Sequence, residues 1–363
     1  MKQAQKDLLR LNMNPGIGRA TLFKLHQHFG CFTTAVNASQ HSWQAAGVNP
    51  ALRASLLSPQ APELCTMLER MAALNIRLLS YWDKTYPALL RTIYDPPAVL
   101  YMRGTLPEQE TLAIVGSRKA TPAGLDFAQE LARQLAEQHI CVVSGMARGV
   151  DSAAHRGALD GHGNTVAVLG CGVDHIYPPE NTRLYQQIIE QGAVISEHPP
   201  ATRPAAGHFP GRNRIISGLS RGVLIVEAAA GSGSLITADF ALDQGRELFA
   251  SPGAISHPNS HGPHRLLKEG AHIVTDVNDV LQALWPEKTS LVKTTDVSDA
   301  FTDLDSVSRS VYLLLNENPL HHDEIARKCA LTPMDLSVIL LDLELRGGVK
   351  QLPGGHFIRG ALT

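Results

Sequence analysis

With 363 residues, 44% of them hydrophobic and 18% charged, the chain has the make-up of globular protein and the length for two or three domains with their own cores. A formal net charge of −2 excludes general electrostatic attraction to a polyanion, so any nucleic-acid binding must rest on locally gathered arginine and lysine. The opening MKQAQKDLLRLNM lacks the apolar run of a signal peptide, no stretch reaches the ~18 apolar residues of a membrane span, and Cys31, Cys65, Cys141, Cys171 and Cys329 lack zinc-ligand spacing; a cytoplasmic protein with reduced thiols and no membrane span is expected.

Residues 1–80 read as short helices. Leu8, Leu9 and Leu11 precede the turn Asn14-Pro15-Gly16-Ile17-Gly18, and Leu22, Leu25 and Phe29 follow at helical spacing, a helix-hairpin-helix or SAM-like arrangement. Such a turn either offers backbone N–H groups to a phosphate, helped by Arg19 and Lys24, or is only a tight corner of a helical hairpin. Residues 81–110, with the breakers Asp95-Pro96-Pro97 and Gly104, read as a connector.

From 111 to 285 short apolar runs alternate with helical stretches. Strands are expected at 112–115, 140–143, 165–169, 193–196, 222–226, 247–250 and 272–274. Helices are expected near 122–138, 151–160, 181–191, 212–219, 235–245 and 263–269. Near-continuous apolar strands separated by helices give a doubly wound, mostly parallel, Rossmann-like α/β sheet, whose ligands bind beyond the carboxyl ends of the strands.

Glycine-rich turns stand at those ends: Gly116-Ser117-Arg118, the Ser144–Asp151 turn with Gly145 and Arg148, the turn beginning at Gly170, and the turn with Gly231, Ser232, Gly233 and Ser234. Each precedes a helix N-terminus, and several converging N-termini make an anion pocket. GxxxxGK[ST] is absent and the first turn is not GxGxxG, which argues against triphosphatase and dinucleotide chemistry; no cofactor or metal is expected. The stretch FPGRNRIISG adds a ring, Phe209, beside Arg212, Asn213 and Arg214, equipment for an anionic ligand with exposed bases. Any single arginine could instead serve an ion pair, Arg148 with nearby Asp151 above all. Asp151 with His155, and Asp174 with His175, could be arranged for acid–base chemistry, although Asp151 also fits a helix N-cap.

Residues 286–304 are polar and read as a linker. Residues 305–363 read as a helix, a helix-turn-helix with Thr332 as N-cap and Pro333 in first helical position, and a hairpin around Pro353-Gly354-Gly355, a winged-helix layout. Its second helix carries Asp335, Asp342 and Glu344 and few basic residues, so contact with protein is as good a reading as contact with duplex DNA.

Together VGSR (115–118), SGMARGVD (144–151), LGCGVDHIYPPEN (169–181), FPGRNRIISGLS (209–220), VEAAAGSGSLITA (226–238), GRELFASPG (245–253) and GPHRLLKEGA (262–271) resemble the DNA-processing protein A family, also called Smf. The resemblance implies a single-stranded-DNA-binding protein of natural transformation. Such a protein protects incoming DNA, loads the RecA recombinase for homologous recombination, and forms a homodimer through the Rossmann-like domain. It implies that Gly116, Ser117 and Arg118 hold phosphates, that Phe209 stacks on a base, and that Arg212 and Asn213 frame the pocket. The chain reads RPAAG before His208, where a basic residue is common in the family, so that part of the phosphate grip is expected either to be weaker or to lean on Arg203. GSGSLITA also resembles loops of phosphoribohydrolases, so a nucleotide-cleaving enzyme is the alternative; Glu227 is its candidate carboxylate, or else a brace for the glycine-rich turn.

Overall fold

The computed structural model describes residues 1–56, 64–289, 304–316, 319–346 and 348–359. Two units emerge, Met1–Ser290 and Leu291–Thr363. Of the expected linker, Pro286–Thr289 is helical and 290–303 lie outside the described residues.

A nine-stranded sheet organises the first unit. Its strands are β1 (Arg77–Ser80), β2 (Val99–Gly104), β3 (Thr111–Gly116), β4 (Cys141–Ser144), β5 (Thr165–Val168), β6 (Ala193–Ser196), β7 (Gly222–Val226), β8 (Glu247–Ala250) and β9 (His272–Ile273), in the order β1-β2-β6-β5-β4-β3-β7-β8-β9. Every pairing from β6 across to β9 is parallel, while β1–β2 and β2–β6 are antiparallel. Successive residues of β5 show why these strands read as unbroken apolar runs. Val166 and Val168 enter one core with Ile215, Ile216 and Leu235, whereas Ala167 enters another with Leu184, Tyr185 and Ile188. The close packing of helix Val150–Asp160 on helix Pro122–Glu137 depends on Gly157, where an added Cβ would stand 1.9 Å from the Gln129 carbonyl oxygen.

The sheet begins before residue 111. β2 lies within the expected connector and β1 within the expected helical domain, since Leu78–Leu79 and Val99–Met102 are apolar runs masked in sequence by the prolines between them. The N-terminal helices share a core with the sheet: Leu8, Leu22, Leu25 and Trp43 are buried in one cluster with Tyr101 and Val194. Asn12 donates to the Tyr101 hydroxyl at 2.9 Å, and Arg70 meets Asp174 at 2.5 Å.

In the second unit, helices Ser306–Leu314, His322–Cys329 and Pro333–Leu345 join strands β10 (Leu320–His321), β11 (Val349–Leu352) and β12 (His356–Arg359), ordered β10-β12-β11. Val311, Ile325, Leu336, Leu340, Leu343 and Phe357 form its core, and the Thr332 hydroxyl caps the last helix by accepting the Asp335 N–H at 3.2 Å. This is the expected winged helix.

Candidate functional site

β3 has β4 on one side and β7 on the other, so the strand order reverses between β3 and β7 and a crevice opens beyond their carboxyl ends. A cleft of about 820 Å³ lies there, lined by Gly116, Ser117, Arg118, Lys119, Tyr177, Phe209, Arg212, Asn213 and Ser232 to Ser234, among others. β3 comes so close to β7 that a Cβ on Gly116 would lie 1.8 Å from the Val226 carbonyl oxygen. That approach brings the GSRK turn directly onto the crevice. The Ser117 hydroxyl accepts the Lys119 N–H at 3.1 Å, which folds the turn back and leaves Arg118 and Lys119 exposed.

Phe209 stands in the first turn of helix His208–Gly218. Its ring rests against Gly170, where a Cβ would be 3.2 Å from the ring edge, so Gly170 serves as the ring's seat. The Tyr177 ring is 5.7 Å away, tilted by 42°. The guanidinium of Arg118 lies 5.5 Å from the Phe209 centroid and that of Arg212 5.9 Å. These two arginines differ sharply in surroundings. Arg118 is exposed and has no hydrogen bond or ion pair among the described residues. Arg212 is 4% exposed and donates to the carbonyls of Gly145, at 2.8 Å, and Val168. Burial lowers its pKa to about 10 despite the nearby Asp151 carboxylate. Arg212 thus pins the ends of β4 and β5 beneath the cleft.

The remaining expected site residues divide the same way. Asn213 lines the cleft and donates to the Gly233 carbonyl at 3.1 Å, joining the Phe209 helix to the glycine-rich turn. Ser232 is the N-cap of helix Gly233–Asp243, and its hydroxyl lies 2.8 Å from that of Ser234. Gly231, at φ +78°, makes the left-handed corner before it. Gly145 is packed under the cleft floor, with no room for a Cβ between Arg212 and Asp151. Three residues face elsewhere. Ser144 is buried, and its hydroxyl donates to the Ile114 carbonyl at 2.6 Å, tying β4 to β3. Arg148 is exposed outside the cleft and paired with Glu180, not with Asp151, which points inward. Arg214 is buried behind the helix, bonded to Glu197 at 2.7 Å and to Asp95 at 3.1 Å. Asp95 also pairs with Arg19, so one of the two cations at the PGIG turn is engaged internally.

The carboxylates read as candidate catalysts are structural or enclosed. Glu227, at φ +51°, accepts the Thr121 N–H and the Asn259 amide, each at 3.0 Å, and the Thr121 hydroxyl. Burial alone would raise its pKa; these hydrogen bonds outweigh it and hold the carboxyl below its ordinary range. Asp151 is enclosed, accepts the Ala147 N–H at 3.3 Å, and has a raised pKa because burial prevails over the field of Arg212. Thr165 gives its hydroxyl proton to the Val142 carbonyl at 2.7 Å, so His155 Nδ1, 2.7 Å from the same hydroxyl, is the donor; burial drops the His155 pKa to about 3. Asp174 accepts the Ala201 N–H at 2.9 Å and pairs with Arg70.

Sequence reasoning missed Lys119 and Asn259 as cleft residues. Lys119 was visible as the second cation of the GSRK turn. Asn259 comes from the loop after β8, and its amide, 3.0 Å from the Lys119 carbonyl, bridges segments 140 residues apart with no sequence signature. Pro204 and Ala206 also line the cleft, and Arg203, next in the chain to Pro204, is exposed. No helix among the described residues is long and apolar enough to cross a membrane.

Residues 77–285 match the family described as DNA recombination-mediator protein A, and residues 298–355 match the DprA winged helix domain. Protein Smf of Escherichia coli (strain K12) is 39% identical over 288 residues, spanning 78% of this chain and 77% of that protein. The X-ray structure of DNA processing protein A from Streptococcus pneumoniae superposes with a TM-score of 0.70 at 35% identity, covering 78% of this chain and 98% of that one. A structure of DNA processing protein A from Helicobacter pylori, described for its single-stranded DNA binding mode, superposes with a TM-score of 0.53 at 30% identity, covering 59% of this chain and 97% of that one. The sheet begins at β1, where the family match begins, and the chain belongs to the DNA recombination-mediator protein A (DprA/Smf) family.

Proposed function

We propose that this protein binds single-stranded DNA in the switch-point cleft, with Phe209 stacking on an unpaired base and Arg118 and Lys119 taking adjacent phosphates. The observation that carries the proposal is the pairing of a seated aromatic ring with an exposed guanidinium that has no internal ion-pair partner, at the point where the sheet's ligand crevice opens. The N-terminus of helix Gly233–Asp243 and the Ser232 and Ser234 hydroxyls supply a further phosphate position without reading sequence. A ring and a few cations accept any base, which suits DNA of arbitrary sequence. The single-stranded DNA binding named for the Helicobacter pylori relative supports the same reading.

In this proposal the protein acts in the cytoplasm in natural transformation. It shields the incoming strand, works as a homodimer through the sheet unit, and passes the strand to the RecA recombinase. It acts as a binder and not as a nucleotide hydrolase. The Glu227 carboxylate, the group a hydrolase would use, is held by Thr121 and Asn259 and braces the start of helix Pro122–Glu137. The test is a titration of the full chain with labelled single-stranded and duplex DNA at two salt concentrations, for the wild type and for Arg118→Ala and Phe209→Ala. Tighter binding of the single strand, weakened in both variants, is expected. Equal affinity for the two forms, or unchanged affinity in both variants, would sink the proposal. RecA-coated strand formed in the presence and absence of the protein tests the hand-over separately.

A further inference from the structure

The last helix of the winged-helix unit, Pro333–Leu345, is apolar on two opposite faces. Leu336, Leu340 and Leu343 are buried in the unit's core. Met334, Val338 and Leu341 are 81%, 65% and 58% exposed. At about 100° per residue these three fall within about 60° of each other, on the side away from the core. A surface helix ordinarily carries polar residues there, and a helix apolar on both sides is one that is covered on both sides. Single exposed apolar residues are common, but a continuous stripe spaced i, i+4, i+7 is the pattern of a docking face.

The charges beside the stripe specify the occupant. Asp335 and Asp342 run along one flank, one bonded to the Thr332 hydroxyl at 2.6 Å and the other paired with Arg346 at 2.9 Å, and Glu344 lies on the other flank. In a winged helix the outward face of this helix is the one that enters the DNA major groove. Here it offers methyl groups and carboxylates to that groove, which phosphate repulsion rejects. A second copy of the same face is also rejected, because self-pairing would bring aspartates near aspartates. We infer that the Met334–Val338–Leu341 stripe docks a protein partner whose apolar groove or helix is rimmed by lysine or arginine. This goes beyond DNA binding in the cleft and does not depend on it.

The probe is a labelled synthetic amphipathic helix of about 18 leucine and lysine residues, titrated into the full-length protein, with a leucine–glutamate version as its opposite-charge control. Saturable binding of the lysine peptide is expected, weakened at least about tenfold in M334S/V338S/L341S and again in D335N/D342N, with the glutamate peptide at least about tenfold weaker on the wild type. All five positions are outside the unit's core, so far-UV circular dichroism should match the wild type, and D335N/D342N, which loosens only the Thr332 contact and the Arg346 pair, should lower the melting temperature by no more than a few degrees; should the triple variant melt early, the D335N/D342N arm still decides. Peptide affinity unchanged in both variants overturns the inference. So does loss of duplex DNA binding in the triple variant, which would return the face to nucleic acid, or loss of self-association by light scattering, which would make a second copy its occupant. Single-strand affinity, read in the same variants, should remain that of the wild type, so failure here and failure of the cleft are distinguishable.

Discussion

The guanidinium of Arg118 lies 5.5 Å from the centroid of the Phe209 ring, joining the turn after β3 to the first turn of helix His208–Gly218 across the mouth of the cleft. The ring thus has an exposed cation near it and rests with its edge against Gly170. A base that stacks on Phe209 must share or displace Arg118, and the displaced guanidinium has the neighbouring phosphate as its natural acceptor. In the proposed function, stacking and phosphate binding are coupled through this one contact.

Phe209→Ala removes the stacking surface. Single-strand affinity should fall by about 1–3 kcal/mol, roughly 5- to 150-fold, with little dependence on base sequence. Phe209→Trp should retain most of the affinity. Fluorescence anisotropy with homopolymeric oligonucleotides checks both, and equal losses in the alanine and tryptophan variants would contradict a stacking role.

Arg118→Ala and Arg214→Ala should separate binding from folding, although both arginines come from motifs rich in positive charge. Loss of Arg118 should lower the slope of log affinity against log salt by about 1, with the melting temperature nearly unchanged. Loss of Arg214 leaves Glu197 and Asp95 without their shared cation. Because Asp95 is partly exposed, the cost should be about 2–3 kcal/mol, below that of a fully buried pair, with the single-strand affinity of the folded protein retained. Urea unfolding and salt-dependent titration of the two variants measure these effects.

Much of this architecture was legible in sequence, for reasons visible in particular segments. Val223, Leu224, Ile225 and Val226 announce a strand buried on both faces, and the Gly231–Ser234 turn announces a helix start where the strand ends. That Phe209 and Arg118 share one cleft was legible because both stand in glycine-containing motifs expected at the carboxyl edge of the sheet. The roles of Arg212 and Arg214 were not. A guanidinium serves a phosphate, a carbonyl or a carboxylate equally well, and which one it meets is decided by elements far away in the chain, at Val168 and at Asp95. Ser144 was misread for the same reason: only the position of β3 shows that its hydroxyl is spent on Ile114. β1 and β2 escaped because two short antiparallel strands separated by prolines resemble a connector until β6 is there for β2 to pair with.

His155 gives the fold a dependence on pH. Its pKa is about 3 in the native state and near the ordinary histidine value of about 6.5 when unfolded, so between these limits the unfolded chain binds one more proton. Its contribution is complete above pH ~6.5 and is lost as pH falls toward about 3, with a slope of up to about 1.4 kcal/mol per pH unit. Chemical denaturation of the wild type and His155→Gln at a series of pH values should show a shallower dependence in the variant. Identical slopes would contradict a buried, neutral His155.

Glu227→Gln should be a stability variant. The glutamine keeps one acceptor oxygen, enough for the Thr121 N–H and the Asn259 amide or for the Thr121 hydroxyl but not for both sides, and loses the charge-assisted bonds, at a cost of about 1–2 kcal/mol. Single-strand affinity should change by less than about threefold, within the range of surface effects. Release of free base from nucleoside monophosphates by the wild type, abolished in this variant, would revive the hydrolase reading.

The most direct measurement of the central claim is a double-mutant cycle on Arg118→Ala and Phe209→Ala, reading single-strand affinity at low and moderate salt. If the ring and the guanidinium act on one strand through their contact, the double variant should bind more tightly than the sum of the single losses implies, with a coupling of about 0.5–2 kcal/mol. Duplex affinity should be weaker than single-strand affinity in the wild type. Single losses of zero, or single-strand and duplex affinities that fall together in every variant, would show that DNA is held elsewhere on the molecule.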